Sequence, residues 1–251
     1  MVPLTLTVLL LIAQTIALGV SIRNRLWKTI PCWFVYICVA TVHVLMGLVP
    51  MAEGRDYPIL LLYFEPVIIL SQIAFAFESS VKVLGITLTE GPPEGRLLLW
   101  LIPSVPAAIV LPIEIGFIQD AVASWHNQEG ESLRLVYAIR LFLSLTLFVV
   151  LAVIPTIARL SMRVTRPAAA FHHYAVTGYV ALAALGYLCK SYVSFGVDYY
   201  ATLAFFVFGP VICFLVWSRK MWNRGPSDLE PVEGVTPNDP STAFQRGAFQ
   251  S

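Results

Sequence analysis

A chain of 251 residues that is 58% hydrophobic and 12% charged lies well outside the composition of soluble domains, where about a quarter of residues carry charge. Its net charge of +1 comes from basic residues scattered along the chain, which excludes the massed basic face that nucleic-acid binding requires. Seven stretches, 2–22, 29–52, 57–77, 97–119, 135–158, 167–189 and 199–218, are almost free of charge and use most of the chain, leaving no room for a soluble catalytic domain.

A helix rises about 1.5 Å per residue and a hydrocarbon core is about 30 Å thick, so each stretch is long enough to cross a bilayer. Lipid offers backbone N–H and C=O groups no partner, which makes a helix the only conformation for such a segment. The expected fold is therefore an all-α transmembrane bundle of seven spans over residues 1–224, followed by a disordered cytoplasmic tail, 225–251.

The first stretch carries no Lys or Arg and is followed by Arg23, Arg25 and Lys28, the pattern of a retained signal-anchor rather than a cleaved leader. Thr7, Gln14 and Ser21 recur every seventh residue and mark its inward face. On the second stretch Thr29, Tyr36 and His43 do the same, and on the third Glu65, Gln72 and Ser79. The segment ESSVKVLGITL after residue 77 extends the third helix by two or three turns, until Gly91, Pro92, Pro93 and Gly95 break it. The fourth stretch holds Glu114 and Pro103, Pro106 and Pro112; the fifth holds Arg140 and Pro155. His172, Tyr179 and Lys190 share a face of the sixth, and Asp198, Thr202 and Gly209 line up on the seventh, with Pro210 next to them. From Gly225 the chain is rich in Pro, Gly, Ser and acid, too poor in apolar surface to offset its ordering entropy.

Basic residues alternate with the loops. Arg23, Arg25, Lys28, Lys82, Arg96, Arg159, Arg163, Arg166, Arg219, Lys220 and Arg224 fall on one side, against Arg55, Arg134 and Lys190 on the other. By the positive-inside rule the N-terminus is outside and the C-terminus cytoplasmic. Trp27, Trp33, Trp100, Trp217 and Trp222 then mark the inner boundary, and Tyr57, Trp125, Tyr192, Tyr199 and Tyr200 the outer one, as interfacial aromatic belts do.

A charge near the centre of a span costs roughly 2.5–3.5 kcal/mol on insertion scales, so each needs a reason. With this topology Glu65, Glu114, Arg140 and His43 all fall in the outer half of the membrane. They are read as one ligand-binding or structural charge cluster around an outward-facing cavity, with Arg140 pairing Glu65 or Glu114. Gln14, Gln72, Tyr179, Lys190 and Asp198 are the expected lining residues. Against this stands a plain structural reading, in which a Glu–Arg pair locks two helices or the charges snorkel to the interface. The inner half offers His172, His173 and Glu78.

The last stretch lacks the mid-helix lysine of a retinal protein, and D-R-Y, N-P-x-x-Y and Pro-Gln pairs are all missing. No metalloprotease, nucleophile-elbow or phosphate-loop motif occurs either. The four cysteines, Cys32, Cys38, Cys189 and Cys213, form no C-x-x-C pair, and adjacent His172 and His173 point about 100° apart. No cofactor and no metal is expected. The remaining classes are a small-ligand sensor or solute/ion transporter of the cell (plasma) membrane, then an intramembrane enzyme, then a structural or assembly subunit. The expected partners are the lipid bilayer and, for a sensor, a cytoplasmic or membrane protein.

Overall fold

In a computed structural model of the protein, residues 2–52, 59–84, 129–160, 166–192 and 204–230 are described. Six α-helices run through them: α1 (Val2–Arg23), α2 (Pro31–Ala52), α3 (Ile59–Leu84), α4 (Glu129–Leu160), α5 (Pro167–Tyr192) and α6 (Gly209–Met221). Among the described residues there is no strand. Leu4–Arg23, Pro31–Leu48, Pro66–Leu84 and Ala204–Met221 are long and apolar enough to cross a membrane, and Arg140–Ile154 is a shorter apolar helix. These four point to an integral membrane protein. The fourth stretch, 97–119, lies outside the described residues, as do Glu114 and Asp198.

Local sequence explains the helix ends. Pro31 opens α2, where its missing N–H costs nothing. Pro66 sits inside α3 and removes one ladder bond. The third stretch does not stop at residue 77: α3 continues to Leu84, as the apolar periodicity past Glu78 anticipates. Ahead of α6, residues Ala204–Phe208 form a wide π turn. Pro210 has no N–H to give the carbonyl one turn earlier, so the ladder is reset there.

The described helices close into a ring. α1 packs on α2, α2 on α3, α3 on both α4 and α5, α4 on α5, α5 on α6, and α6 returns to α1. Cross-helix contacts fix their directions. Glu78, late in α3, meets Cys32 and Trp33 at the start of α2. Ser79 meets His173 at the start of α5. Val83 and Leu84 pack with Ile154, late in α4, and Asn24, just past α1, meets Met221 and Trp222 at the end of α6. One end of the bundle, here the near end, therefore gathers the ends of α1, α3, α4 and α6 with the starts of α2 and α5.

Among the described residues, every helix turns apolar side chains outward. Leu9, Ile12, Val35, Leu45, Val67, Leu70, Phe142, Val149, Leu185, Ile212 and Val216 are exposed, whereas Gln14, Gln72, Glu78, Arg140, His172 and His173 are buried. This inside-out distribution suits lipid, which solvates apolar side chains and not polar ones. Since lipid removes most of the hydrophobic drive for helices to associate, close packing and hydrogen bonds must hold them. Glycines permit that packing between α5 and the last helix: a Cβ on Gly186 would come within 2.7 Å of the Phe206 ring, and one on Gly209 within 2.9 Å of Leu182.

The tail expectation changes at its root. Gly225 does not begin an unstructured segment, because Pro226–Asp228 form a 3₁₀ turn and the Gly225 N–H donates to Asp228 Oδ2 at 2.9 Å. Leu229 is fully buried in the main core cluster with Leu26, Ala168 and Met221. Asn24 Nδ2 donates to the Met221 and Trp222 carbonyls at 2.6 and 2.8 Å, satisfying helix-end acceptors that α6 cannot bond itself. The rest of the expected tail, 231–251, lies outside the described residues.

Candidate functional site

The buried polar residues form two tiers along the bundle axis. The near tier is built around Trp33. Its ring centroid lies 5.3 Å from Phe75, 5.5 Å from Trp217, 5.6 Å from His172 and 5.9 Å from both Tyr36 and Phe214. Offset and edge-on aromatic pairs at such spacings contribute about 0.5–1.5 kcal/mol each beyond burial. Four helices supply these rings, so the cluster ties α2, α3, α5 and α6 together.

Polar groups thread this aromatic tier. The Glu78 carboxylate accepts the backbone N–H groups of Cys32 and Trp33, each at 3.0 Å. An acid on α3 thereby caps the first turn of α2, where orphan N–H groups and the helix dipole favour negative charge. Lys82, one turn further along α3, lies close enough to interact with that carboxylate. Trp217 Nε1 donates to His172 Nδ1 at 3.1 Å. His173 uses both ring nitrogens, one with Ser79 Oγ and one with the Leu151 carbonyl, both at 2.9 Å, so it pins α3, α4 and α5 to one another. The two adjacent histidines therefore do separate jobs, and among the described residues no group of three or more potential metal ligands occurs.

The second tier lies deeper. The hydroxyls of Tyr36 and Tyr179 are hydrogen-bonded to each other across α2 and α5, with Gln72 beside Tyr36. Arg140, 3% exposed, interacts electrostatically with both tyrosines and with His43, and its guanidinium lies 6.0 Å from the Tyr187 ring centroid. Because Tyr36 also touches Trp33 and Phe75, the two tiers join into one buried polar column.

Of the charge cluster expected from sequence, His43 and Arg140 lie within electrostatic reach of each other in the second tier. Glu65 lies on α3, but its side chain is outside the described residues, as is that of Lys190 on α5; Glu114 and Asp198 are outside altogether. Among the expected lining residues, Gln14 and Gln72 are buried and Tyr179 joins the column. Several hydroxyls on the polar stripes satisfy themselves within their own helix, Ser21 on the Ala17 carbonyl and Thr41 on the Ile37 carbonyl, the ordinary solution for such residues in lipid.

Sequence reasoning gave little weight to the near tier. Trp33 and Trp217 read as interfacial belt residues and Glu78 as part of a helical extension beyond the third span, because single-helix periodicity does not reveal which groups meet. The available signal was the apolar continuation of α3 past Glu78, which draws that acid inside a helix. No known protein family matches the chain, and no curated protein or solved structure is similar to it.

Proposed function

We propose that the chain is a seven-span membrane protein that moves a small polar solute or an ion along the buried column. The observation that carries this reading is the Tyr36–Tyr179 hydroxyl pair, which links the Arg140–His43 tier to the Glu78–His172 tier. Ionisable and hydrogen-bonding side chains are costly inside a membrane and commonly mark solute or ion pathways. A polar tier at each depth supplies the second, inward-facing set of groups that a transporter needs and a purely outward-facing sensor does not.

The number of crossings and the orientation belong to the same proposal. α3 and α4 run in the same direction, since Leu84 and Ile154 pack at the near end. Both helices therefore begin at the end opposite the near one, which supports one further crossing between them. Arg23, Arg25, Lys28, Lys82, Arg166, Arg219, Lys220 and Arg224 all belong to the near end, which supports a cytoplasmic placement for that end, with the N-terminus outside and the cell membrane as the location. A reporter active only in the cytoplasm, fused after Arg224, should give signal; silence reverses the orientation.

Transport is tested by reconstituting the full chain in liposomes. Flux would be followed with a pH-sensitive dye under a potassium diffusion potential, with sodium and chloride electrodes, and by light scattering with urea and glycerol. Flux of at least one probe is expected, reduced by Tyr36→Phe and Tyr179→Phe with folding intact. Folded protein that passes none of these probes removes the transporter reading, and ligand binding without flux would return the chain to the sensor class.

A further inference from the structure

The last turns of α1 and α6 are held side by side at the near end of the bundle. Asn24 Nδ2 donates to the Met221 and Trp222 carbonyls, and the Arg23 guanidinium carbon stands 4.4 Å from the centroid of the Trp222 ring. Arg25 takes a left-handed backbone conformation, φ 55°, which turns the chain out of α1 and into the short 3₁₀ turn Leu26–Lys28. Arg219 precedes Trp222 by three positions, and Trp222 keeps helical backbone angles, so the two are neighbours on one flank of α6. Arg23, Arg25, Arg219 and Trp222 are all exposed. Among the described residues, the ion pair at this end joins Arg224 to Asp228 and leaves the other three arginines without an acid.

Next to these cations, toward the middle of the bundle, the surface is apolar. Leu215 and Ile212 precede Trp222 by seven and ten positions, so they share its flank of α6 with Arg219, and they are 42% and 59% exposed. On α1, Ile22 is exposed beside Arg23. Gly19, one turn before Arg23 on the same face, opens onto free space: a Cβ placed there meets nothing within 4 Å among the described residues. A fitting ligand is therefore amphipathic, anionic at the arginines and apolar along the helices. A soluble anion would leave the apolar flank uncovered. A soluble acidic partner would not reach that flank, because it lies within Ala204–Met221, a segment of membrane-crossing length.

We infer that Arg23, Arg25 and Arg219, with the Trp222 ring, bind the phosphate headgroup of an anionic phospholipid whose acyl chains lie along Leu215, Ile212 and Gly19. A guanidinium donates two parallel N–H bonds to phosphate oxygens. Arg23 already rests on the Trp222 ring, so less side-chain freedom is lost when it binds. Basic residues massed at a membrane boundary attract anionic lipid in general. The juxtaposition of α1 and α6 goes further, because it sets guanidinium groups from two helices around one indole at the head of one apolar flank. The inference concerns lipid binding, so it goes beyond the transport reading. It holds for either orientation and any number of crossings, and a null flux result leaves it standing.

The test mixes the full chain, in a nonionic detergent, with equal amounts of dioleoylphosphatidylglycerol and dioleoylphosphatidylcholine and counts bound lipid by native mass spectrometry. The phosphatidylglycerol adduct should predominate. Arg23→Gln and Arg219→Gln should each weaken it about fivefold, the worth of one basic side chain at an anionic surface. Lys220→Gln removes the same charge at the same depth, but from the opposite shoulder of α6, and should leave the adduct nearly unchanged. Both arginines are exposed and are changed one at a time, so circular dichroism should show native helix content, and either variant alone decides if the other fails to fold. Inorganic phosphate should not displace the lipid. Equal binding of the two lipids overturns the proposal. An equal loss in Lys220→Gln would reduce it to diffuse surface charge, and displacement by inorganic phosphate would make the site one for a free anion.

Discussion

Glu78 and Trp33 are 45 positions apart in sequence, yet the carboxylate of one accepts the backbone N–H of the other at 3.0 Å, buried at the near end of the bundle. An acid on α3 thus does for α2 what a capping residue ordinarily does from within the same chain segment. Pro31 opens that helix, and Ile30 at the capping position before it offers no side-chain oxygen, so the cap comes from a neighbouring helix.

Removing this cap should be costly. Hydrogen bonds to a charged group contribute about 1.5–3 kcal/mol each, and Glu78→Ala strands the N–H groups of both Cys32 and Trp33. Thermal unfolding in detergent, followed by circular dichroism, should show Glu78→Ala clearly destabilised and Glu78→Gln intermediate, because the amide keeps one acceptor oxygen. Equal melting of all three proteins would contradict the capping role.

His173 should behave as a structural pin. Its contacts with Ser79 Oγ and the Leu151 carbonyl predict that His173→Ala loses about 1–3 kcal/mol for each buried group left unpartnered. A double-mutant cycle with Ser79→Ala should give a coupling of about 0.5–3 kcal/mol. Strict additivity of the two substitutions would mean that the ring and the hydroxyl do not act as a pair.

Leu229 should matter to stability although it follows the last helix. It is fully buried among core side chains, and a large-to-small change at such a site costs about 2–5 kcal/mol. Leu229→Ala, or truncation after Gly225, should lower the melting temperature and expose the root to proteases in detergent. The exposed Arg224–Asp228 pair, at 3.8 Å, should matter little by comparison, since surface pairs contribute about 0–1 kcal/mol. A truncated chain as stable as the full one would place Leu229 outside the folded unit.

Arg140 offers a test of the charges expected in the outer half of the membrane. If Glu65 or Glu114 is its partner, Arg140→Ala strands a buried carboxylate at a cost of about 3–5 kcal/mol. Stability should then recover in part when Glu65→Gln or Glu114→Gln is added, whichever acid is paired. Double variants no more stable than Arg140→Ala alone would leave His43, Tyr36, Tyr179 and Tyr187 as the groups around the guanidinium.

The sequence alone determined that this is a helical, lipid-facing chain, and it located the helices now described to within a few residues at most ends. That information is local: a run of apolar residues about 20 long has one solution in a bilayer, and the inward stripes carrying Gln72, Ser79 and Tyr36 follow from helical spacing. Tertiary structure decided which of these faces meet. Tyr36 and Tyr179, 143 positions apart, and Trp217 and His172, 45 apart, are joined by the rotation and closure of the helix ring, which depend on packing summed over many side chains. The same sum drew Glu78 and Leu229 into the interior, although one read as part of a helical extension beyond its span and the other as part of a tail. A stripe records how far a residue stands from lipid; its partner is set by the neighbouring helix.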